Sequence, residues 1–140
     1  MKTLNDVLDQ GPTGLVFASS EGHLEVRGFR DALDLASPVT MSKNSSFDMA
    51  SITKIICSTA IIMNLVQSRE IQVNQPIHDF FPEWKGEKSS ITIEHLLRHR
   101  SGLLPWRPLY IRNKDIEEVH QTIAHLPLDK EVDSVRVYSD

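Results

Sequence analysis

The hydrophobic pattern divides the chain into a short part with alternating residues and a longer part with helical periodicity. In the short part, the run "LVFAS" precedes "HLEVRGF", in which Leu24 and Val26 alternate with charged or polar neighbours. The segment "SSEG" separates the two runs, and a turn with glycine between such runs is typical of a β-hairpin. A polar loop rich in Ser, Asp, Asn and Pro follows, from Asp31 to Ser46.

From Ser51 onward the apolar residues recur with the period of a helix. The 3.6-residue spacing predicts about five helical turns from Ile52, Ile55, Ile56, Ala60, Ile62, Met63, Leu65 and Val66. Cys57 and Ile61 fill other faces, so we expect this helix to be buried on most sides. Cys57 is then expected to be a small buried hydrophobic residue.

Two later segments predict further helices. In "ITIEHLLRHRSGL", Thr92 is a candidate N-cap and Gly102 a candidate terminator. "DIEEVHQTIAHL" predicts a helix whose apolar side holds Ile116, Val119, Ile123 and Leu126. Strands come first and helices later, which predicts the α+β class.

Composition and charge exclude several classes of partner. The chain has 140 residues, of which 40% are hydrophobic and 24% charged, as in one soluble globular domain. The net charge of -4, without a basic run, argues against nucleic acid and anionic membranes as partners. We expect no membrane span and no cofactor, and the amino-terminal "MKTLNDVLDQ" lacks a signal-peptide core, which favours the cytoplasm.

Ser51 and Lys54 form the first candidate for chemistry. On a helix that begins near Ser51, Lys54 lies one turn further along the same face, and its amine reaches the hydroxyl. The pair could be a nucleophile and its base, provided that apolar surroundings destabilise the ammonium. It could also be a helix cap and a solvated charge, and the spacing alone favours this second interpretation.

Flanking motifs add a family resemblance. The segments "PVTMSKNSSFDMASITKI", "VNQPIHDFFPEW" and "ITIEHLLRHRSGL", then Tyr138, Ser139 and Asp140, occur in this order. Together they resemble the serine β-lactamase and penicillin-binding-protein superfamily, especially its class C β-lactamase-like and esterase branch. The resemblance runs from about Gly14 to Asp140.

The resemblance implies a β-lactamase/DD-peptidase-like fold and an acyl-enzyme mechanism on an amide, ester or peptide-like substrate. It implies that Ser51 is the nucleophile, Lys54 activates it and Tyr138 is a second proton-transfer group. The backbone N–H of Ser51 would be half of an oxyanion hole. Asp140 and Trp106 are candidate substrate contacts, the latter at a cleft rim, and no metal is implied.

The chain departs from the family pattern at two places. Asp140 replaces the usual Asn, so a side-chain amide that can donate hydrogen bonds is replaced by a carboxylate that only accepts them. This carboxylate could keep Lys54 in its charged form. The family's Pro-Gly ahead of the tyrosine is missing, since Val132 to Ser134 stand there.

Length is a further difference, because the family domain is more than twice as long and its third motif and remaining strands follow the tyrosine element. We therefore expect residues 1–140 to be the amino-terminal part of one domain, with a hairpin and loop over 1–46 and a helical region over 47–140. Such a chain is expected to fold marginally or to aggregate when expressed alone.

Other functions remain open at this point. A non-catalytic ligand-binding or sensor protein could use the same pocket, and the chain could also be an inactive fragment. His95 and His99 have the spacing of two zinc ligands, but Glu94 precedes the first histidine instead of following it. Structural packing, or capping of the turn at Ser101 and Gly102, is the better interpretation. The oligomeric state is not predicted.

Overall fold

A two-stranded antiparallel sheet near the start of the chain confirms the predicted hairpin. Strand β1 (Gly14–Ala18) pairs with β2 (Leu24–Gly28), and Val16 lies opposite Val26. The turn closes through a hydrogen bond from the Gly22 N–H to the Ser19 carbonyl, 3.1 Å. Gly22 has a φ of 81°, which glycine adopts without steric cost.

This architecture comes from a computed structural model that describes residues 6, 7, 9, 13–28, 37, 39–113 and 115–139, with Arg112 described for its backbone alone. The chain forms two compact units, Met1–Asp48 and Met49–Asp140. The hairpin belongs to the first unit, and the helices from Lys54 onward belong to the second. Among the described residues, no helix has the length and apolar character needed to cross a membrane.

The predicted helix after Ser51 is present, and its hydrogen-bonding type changes along its length. Its first part, Lys54–Thr59, is a π-helix, and its second part, α1 (Ala60–Gln67), is an α-helix. Further along lie 3₁₀ turns at Ile77–Asp79 and Gly86–Ser90. Later in the described part of the chain lie the α-helices α2 (Ile93–Leu97), α3 (Leu109–Arg112) and α4 (Ile116–His125).

Helix α2 begins as the sequence predicts and ends differently. The Thr92 side chain accepts a hydrogen bond from the His95 N–H, and the His95 ring accepts one from the Thr92 N–H, which makes a capping box. The helix ends at Leu97, so Gly102 is not its terminator. His99 takes the left-handed position after the helix instead, with a φ of 56°.

The core of the second unit lies around the chain that connects α1 to α2. Ile91 is fully buried there, and the Ile77 N–H donates to its carbonyl at 2.8 Å. The buried cluster comprises Ile77, Trp84, Ile91 and Ile93. Helices α1, α2 and α4 each contribute a partly buried residue to this cluster, respectively Ile62, Leu96 and Ile123.

The expectation that the helix after Ser51 is buried on most sides is wrong. Ile55 is 72% exposed, Met63 is 66% exposed, and Cys57 is exposed as well. The apolar pattern reports which side chains avoid water when a partner surface is available. It does not specify that surface, so burial on all sides could not follow from periodicity.

Candidate active site

The helix start places Ser51 in its first turn. Ala50, directly before it, has a φ of 43°, a conformation that costs an alanine about 1–2 kcal/mol. The N–H groups of Ile52, Thr53 and Lys54 donate to the carbonyls of residues 49, 50 and 51 at 2.9–3.1 Å. Backbone strain of this kind is often found at functional sites, where the surrounding structure holds it.

Lys54 contacts the candidate nucleophile directly. Its Nζ lies 3.1 Å from the Ser51 Oγ, within hydrogen-bond distance. Both side chains are half-buried. The same Nζ lies 5.3 Å from the centroid of the Tyr138 ring, close enough for a cation–π contact. The structure therefore brings together the three residues that the sequence singles out for catalysis.

The helical winding at this site is unusual. Lys54 begins the π-helical part, and its carbonyl accepts a hydrogen bond from the Thr59 hydroxyl at 2.8 Å. π-Helical turns are rare and frequently occur at functional sites. The Thr59 hydroxyl thus gives the Lys54 carbonyl a hydrogen-bond partner within the π-helical part.

Tyr138 is held by the residue that follows α2. The His99 and Tyr138 rings have centroids 4.6 Å apart at an interplanar angle of 39°. The Val137 N–H donates to the His99 carbonyl at 2.9 Å, and the Ser139 N–H donates to His99 Nδ1 at 3.3 Å. His99 therefore contacts three consecutive residues of the tyrosine element.

His99 is placed by the way in which α2 ends. The His99 N–H donates to Leu96 and the Arg100 N–H to His95, at 3.1 and 2.8 Å. These two bonds form a Schellman motif, in which the residue in the left-handed conformation is usually glycine. Histidine is one of the other residues that are enriched in this conformation.

An ion pair anchors the same segment to the loop ahead of Tyr138. The Arg100 guanidinium donates to the carboxylate and to the carbonyl of Asp133. The hydrogen bond from Arg100 lowers the pKa of Asp133, which is well exposed. The Asp133 N–H also donates to the Arg100 carbonyl at 2.8 Å. Residues 99 and 100 thus hold the chain from 133 to 139.

The electrostatic surroundings favour a neutral His99. Burial lowers its pKa from the usual 6.5, and the positive charges of Arg136 and Lys54 lower it further. The imidazole thus adds no second positive charge beside Lys54 at neutral pH. Its pKa lies below the unfolded value, so folding stability should decline as pH falls from about 6.5 through the folded pKa.

A cavity of about 280 Å³ lies beside these groups in the second unit. Its described lining includes Lys54, His99 and Ser139. Trp106 is not among the lining residues; its side chain is 62% exposed on the loop between α2 and α3. Asp140 lies outside the described residues.

The two histidines of "HLLRH" have separate hydrogen-bonding roles. His95 Nδ1 completes the capping box of α2, and His99 Nδ1 accepts from the Ser139 N–H. Within the described ranges, no group of three or more His, Cys, Asp or Glu residues is placed to hold a metal ion.

The sequence pattern does not indicate His99 as a residue of the site. It favours packing or capping of the turn at Ser101 and Gly102, whereas the His99 ring lies against Tyr138. Its position two residues after the end of α2 was an available signal, because a left-handed residue commonly follows a helix there.

Comparison with known proteins shows the family of this chain. The family model described as Beta-lactamase matches residues 7–140. The chain therefore belongs to the Beta-lactamase family, which has an α/β fold, and this places it in the serine β-lactamase and penicillin-binding-protein superfamily. The hairpin and helices described above are compatible with part of that domain.

Three curated relatives are similar at low identity. Esterase EstB of Burkholderia gladioli is 29% identical over 66% of this chain and 24% of its own length. An N-acetylmuramyl-L-alanine amidase of Bacillus subtilis (strain 168) is 28% identical over 76% of this chain and 27% of its own length. A putative D-alanyl-D-alanine carboxypeptidase of Salmonella agona (strain SL483) is 28% identical over 76% of this chain and 28% of its own length. The chain thus spans about a quarter of the length of these relatives.

Proposed function

We propose that the protein is a serine hydrolase in which Ser51 forms an acyl-enzyme with an ester, an amide or a peptide-like substrate. The observation that carries the proposal is the 3.1 Å contact between Lys54 Nζ and Ser51 Oγ. A serine hydroxyl is a weak nucleophile, and a base within hydrogen-bond distance is the usual means of activating it. The names of the three relatives, an esterase, an amidase and a carboxypeptidase, support this substrate class.

In the proposed first step, the Ser51 Oγ attacks the carbonyl carbon of the substrate. Its proton passes to the neutral amine of Lys54 as the new C–O bond forms. The bond to the leaving group then breaks, and the leaving group departs with a proton. The Tyr138 phenol lies beside Lys54 and is the group proposed to transfer that proton.

The second step restores the enzyme. Water attacks the ester carbon of the acylated Ser51 and gives up a proton to the Lys54 and Tyr138 pair. The bond between the acyl group and Ser51 breaks, the carboxylic acid leaves, and the Ser51 hydroxyl regains a proton. The start of the helix supports both steps, because the positive end of the helix dipole lies near Ser51 and stabilises a developing oxyanion.

The test is covalent labelling of Ser51. We expect a fluorophosphonate to add one label to the chain, located on Ser51 by peptide mass spectrometry. Ser51→Ala should abolish this label, whereas Ser58→Ala, four residues after Lys54 on the same helix, should retain it. Equal labelling of a folded Ser51→Ala variant would refute the proposal.

A further inference from the structure

One residue, His99, contacts every member of the sequence Val137, Tyr138 and Ser139. Its carbonyl accepts from the Val137 N–H, its ring packs on Tyr138, and its Nδ1 accepts from the Ser139 N–H. The carbonyl contact is available to any amino acid at this position. The two ring contacts require a flat side chain with an acceptor nitrogen.

The conformation of His99 shows why the side chain matters. With a φ of 56°, a non-glycine residue is strained, and glycine would avoid this strain. Glycine would also complete the Schellman motif at the end of α2. What glycine cannot supply is the pair of contacts to Tyr138 and to Ser139.

The hydrogen-bond pattern fixes the form of the imidazole. An N–H donor at 3.3 Å requires an unprotonated Nδ1, so the proton of the neutral ring must be on Nε2. The lowered pKa of His99, caused mainly by burial, agrees with the neutral form. The Ser139 hydroxyl lies 3.4 Å from the same Nδ1 and can donate to it as well.

We propose that His99 is a positioning residue, which holds Tyr138 beside Lys54 through the face of its ring and through the bond from Ser139 to Nδ1. The proposal rests on the proposed function, since Tyr138 matters only if Ser51 is acylated. It assigns His99 no contact with the substrate. A misplacement of about 1 Å in such a group can slow a reaction about a hundredfold.

The first experiment determines the imidazole tautomers by ¹⁵N NMR of the 140-residue chain at neutral pH. His99 should have its proton on Nε2. His125 is an internal reference of the opposite kind, because its Nδ1 faces the carbonyl of Gln121 at 2.6 Å. A proton on Nδ1 of His99 would overturn the proposal.

The second experiment compares His99→Gly with His99→Asn. Both residues tolerate the left-handed conformation, and only asparagine offers an acceptor near the place of Nδ1. We expect His99→Gly to slow fluorophosphonate labelling of Ser51 about tenfold to a hundredfold, and His99→Asn to recover part of the rate. His125→Asn, at the exposed end of α4, is the matched control and should label normally.

Amide hydrogen exchange at Ser139 separates this proposal from the proposed function. Protection of this amide should fall in His99→Gly and return in part in His99→Asn, with circular dichroism showing that both variants are folded. If the wild-type chain takes no label, the proposed function fails, and the exchange data still test the positioning. Unchanged protection or an unchanged labelling rate in folded His99→Gly would overturn the role of His99.

Discussion

At the scale of single residues, Ser51 and Tyr138, two of the described neighbours of Lys54, favour different protonation states of its amine. Its Nζ lies 3.1 Å from the Ser51 Oγ, which a neutral amine could deprotonate. It also lies 5.3 Å from the centre of the Tyr138 ring, whose face attracts the charged ammonium. The proposed mechanism therefore depends on proton exchange at Lys54 and not on its charge alone.

Two substitutions distinguish a base from a fixed charge. Lys54→Arg keeps a positive charge that is not lost in proteins, and Lys54→Ala removes both charge and base. We expect both variants to slow labelling of Ser51 by about 10²–10⁴-fold, the usual contribution of a general base. The measurement is the rate of fluorophosphonate labelling, followed by intact mass.

Lys43→Arg is the control, because this lysine is exposed in the first unit. Its labelling rate should equal that of the wild type. Normal labelling of Lys54→Arg would show that positive charge suffices and that Lys54 is not the base.

At the scale of elements, the segment after α2 packs tightly against the segment after α4. The Gly102 carbonyl accepts from the N–H groups of Asp129 and Lys130, at 2.8 and 3.2 Å. A Cβ at Gly102, where φ is 74°, would lie 2.1 Å from the Lys130 carbonyl oxygen. The sequence suggested a terminator at Gly102, and the structure shows a close approach of two backbones.

Gly102→Ala should therefore destabilise the protein by about 2–4 kcal/mol, from strain and from overpacking. Gly86→Ala is the matched control, since Gly86 also has a positive φ of 63° and a Cβ there meets nothing within 4 Å. Gly86→Ala should lower the free energy of unfolding by about 1 kcal/mol. Urea unfolding of the two variants measures the difference, and equal losses would contradict the proposed clash.

The end of α4 is held by a lysine from a distant part of the chain. The Lys88 Nζ is buried and donates to the carbonyls of Ala124 and Leu126. A positive group at the carboxyl end of a helix satisfies open carbonyls and complements the helix dipole. Lys88 thereby connects the 3₁₀ turn at Gly86–Ser90 to α4.

Lys88→Met should lower the free energy of unfolding by about 2 kcal/mol, because a hydrogen bond to a charged group is worth about 1.5–3 kcal/mol. Lys85→Met tests the same chemical change at an exposed site and should have little effect. Urea unfolding again provides the measurement. A Lys88→Met variant as stable as the wild type would exclude the capping role.

At the scale of the whole molecule, the helix after Ser51 exposes large apolar side chains. Ile55, Ile56 and Met63 are 72%, 57% and 66% exposed. Exposed apolar side chains of this size favour association or aggregation. We expect the 140-residue chain to bind a hydrophobic dye and to associate as its concentration rises.

The double variant Ile55→Glu and Met63→Glu should reduce both effects, as measured by dye fluorescence and sedimentation velocity. Gln72→Glu with Gln121→Glu adds the same charge at exposed polar positions and removes no apolar surface. Equal loss of association in both double variants would assign the effect to net charge instead of the apolar side chains.

The sequence by itself determined the features that depend on near neighbours. The hairpin follows from alternation around a turn with glycine, and the cap at Thr92 follows from local hydrogen bonding. The contact between Ser51 and Lys54 belongs to the same group, because three residues along a helix make about one turn.

The tertiary structure decided which distant residues meet and which apolar faces are covered. Tyr138 lies beside Lys54 because the segment at His99 and Arg100 binds the chain from Asp133 to Ser139. The exposure of the apolar side chains after Ser51 was also decided by the tertiary structure. Periodicity within one segment carries no information about the surface that it will contact, so packing of the folded chain alone sets these features.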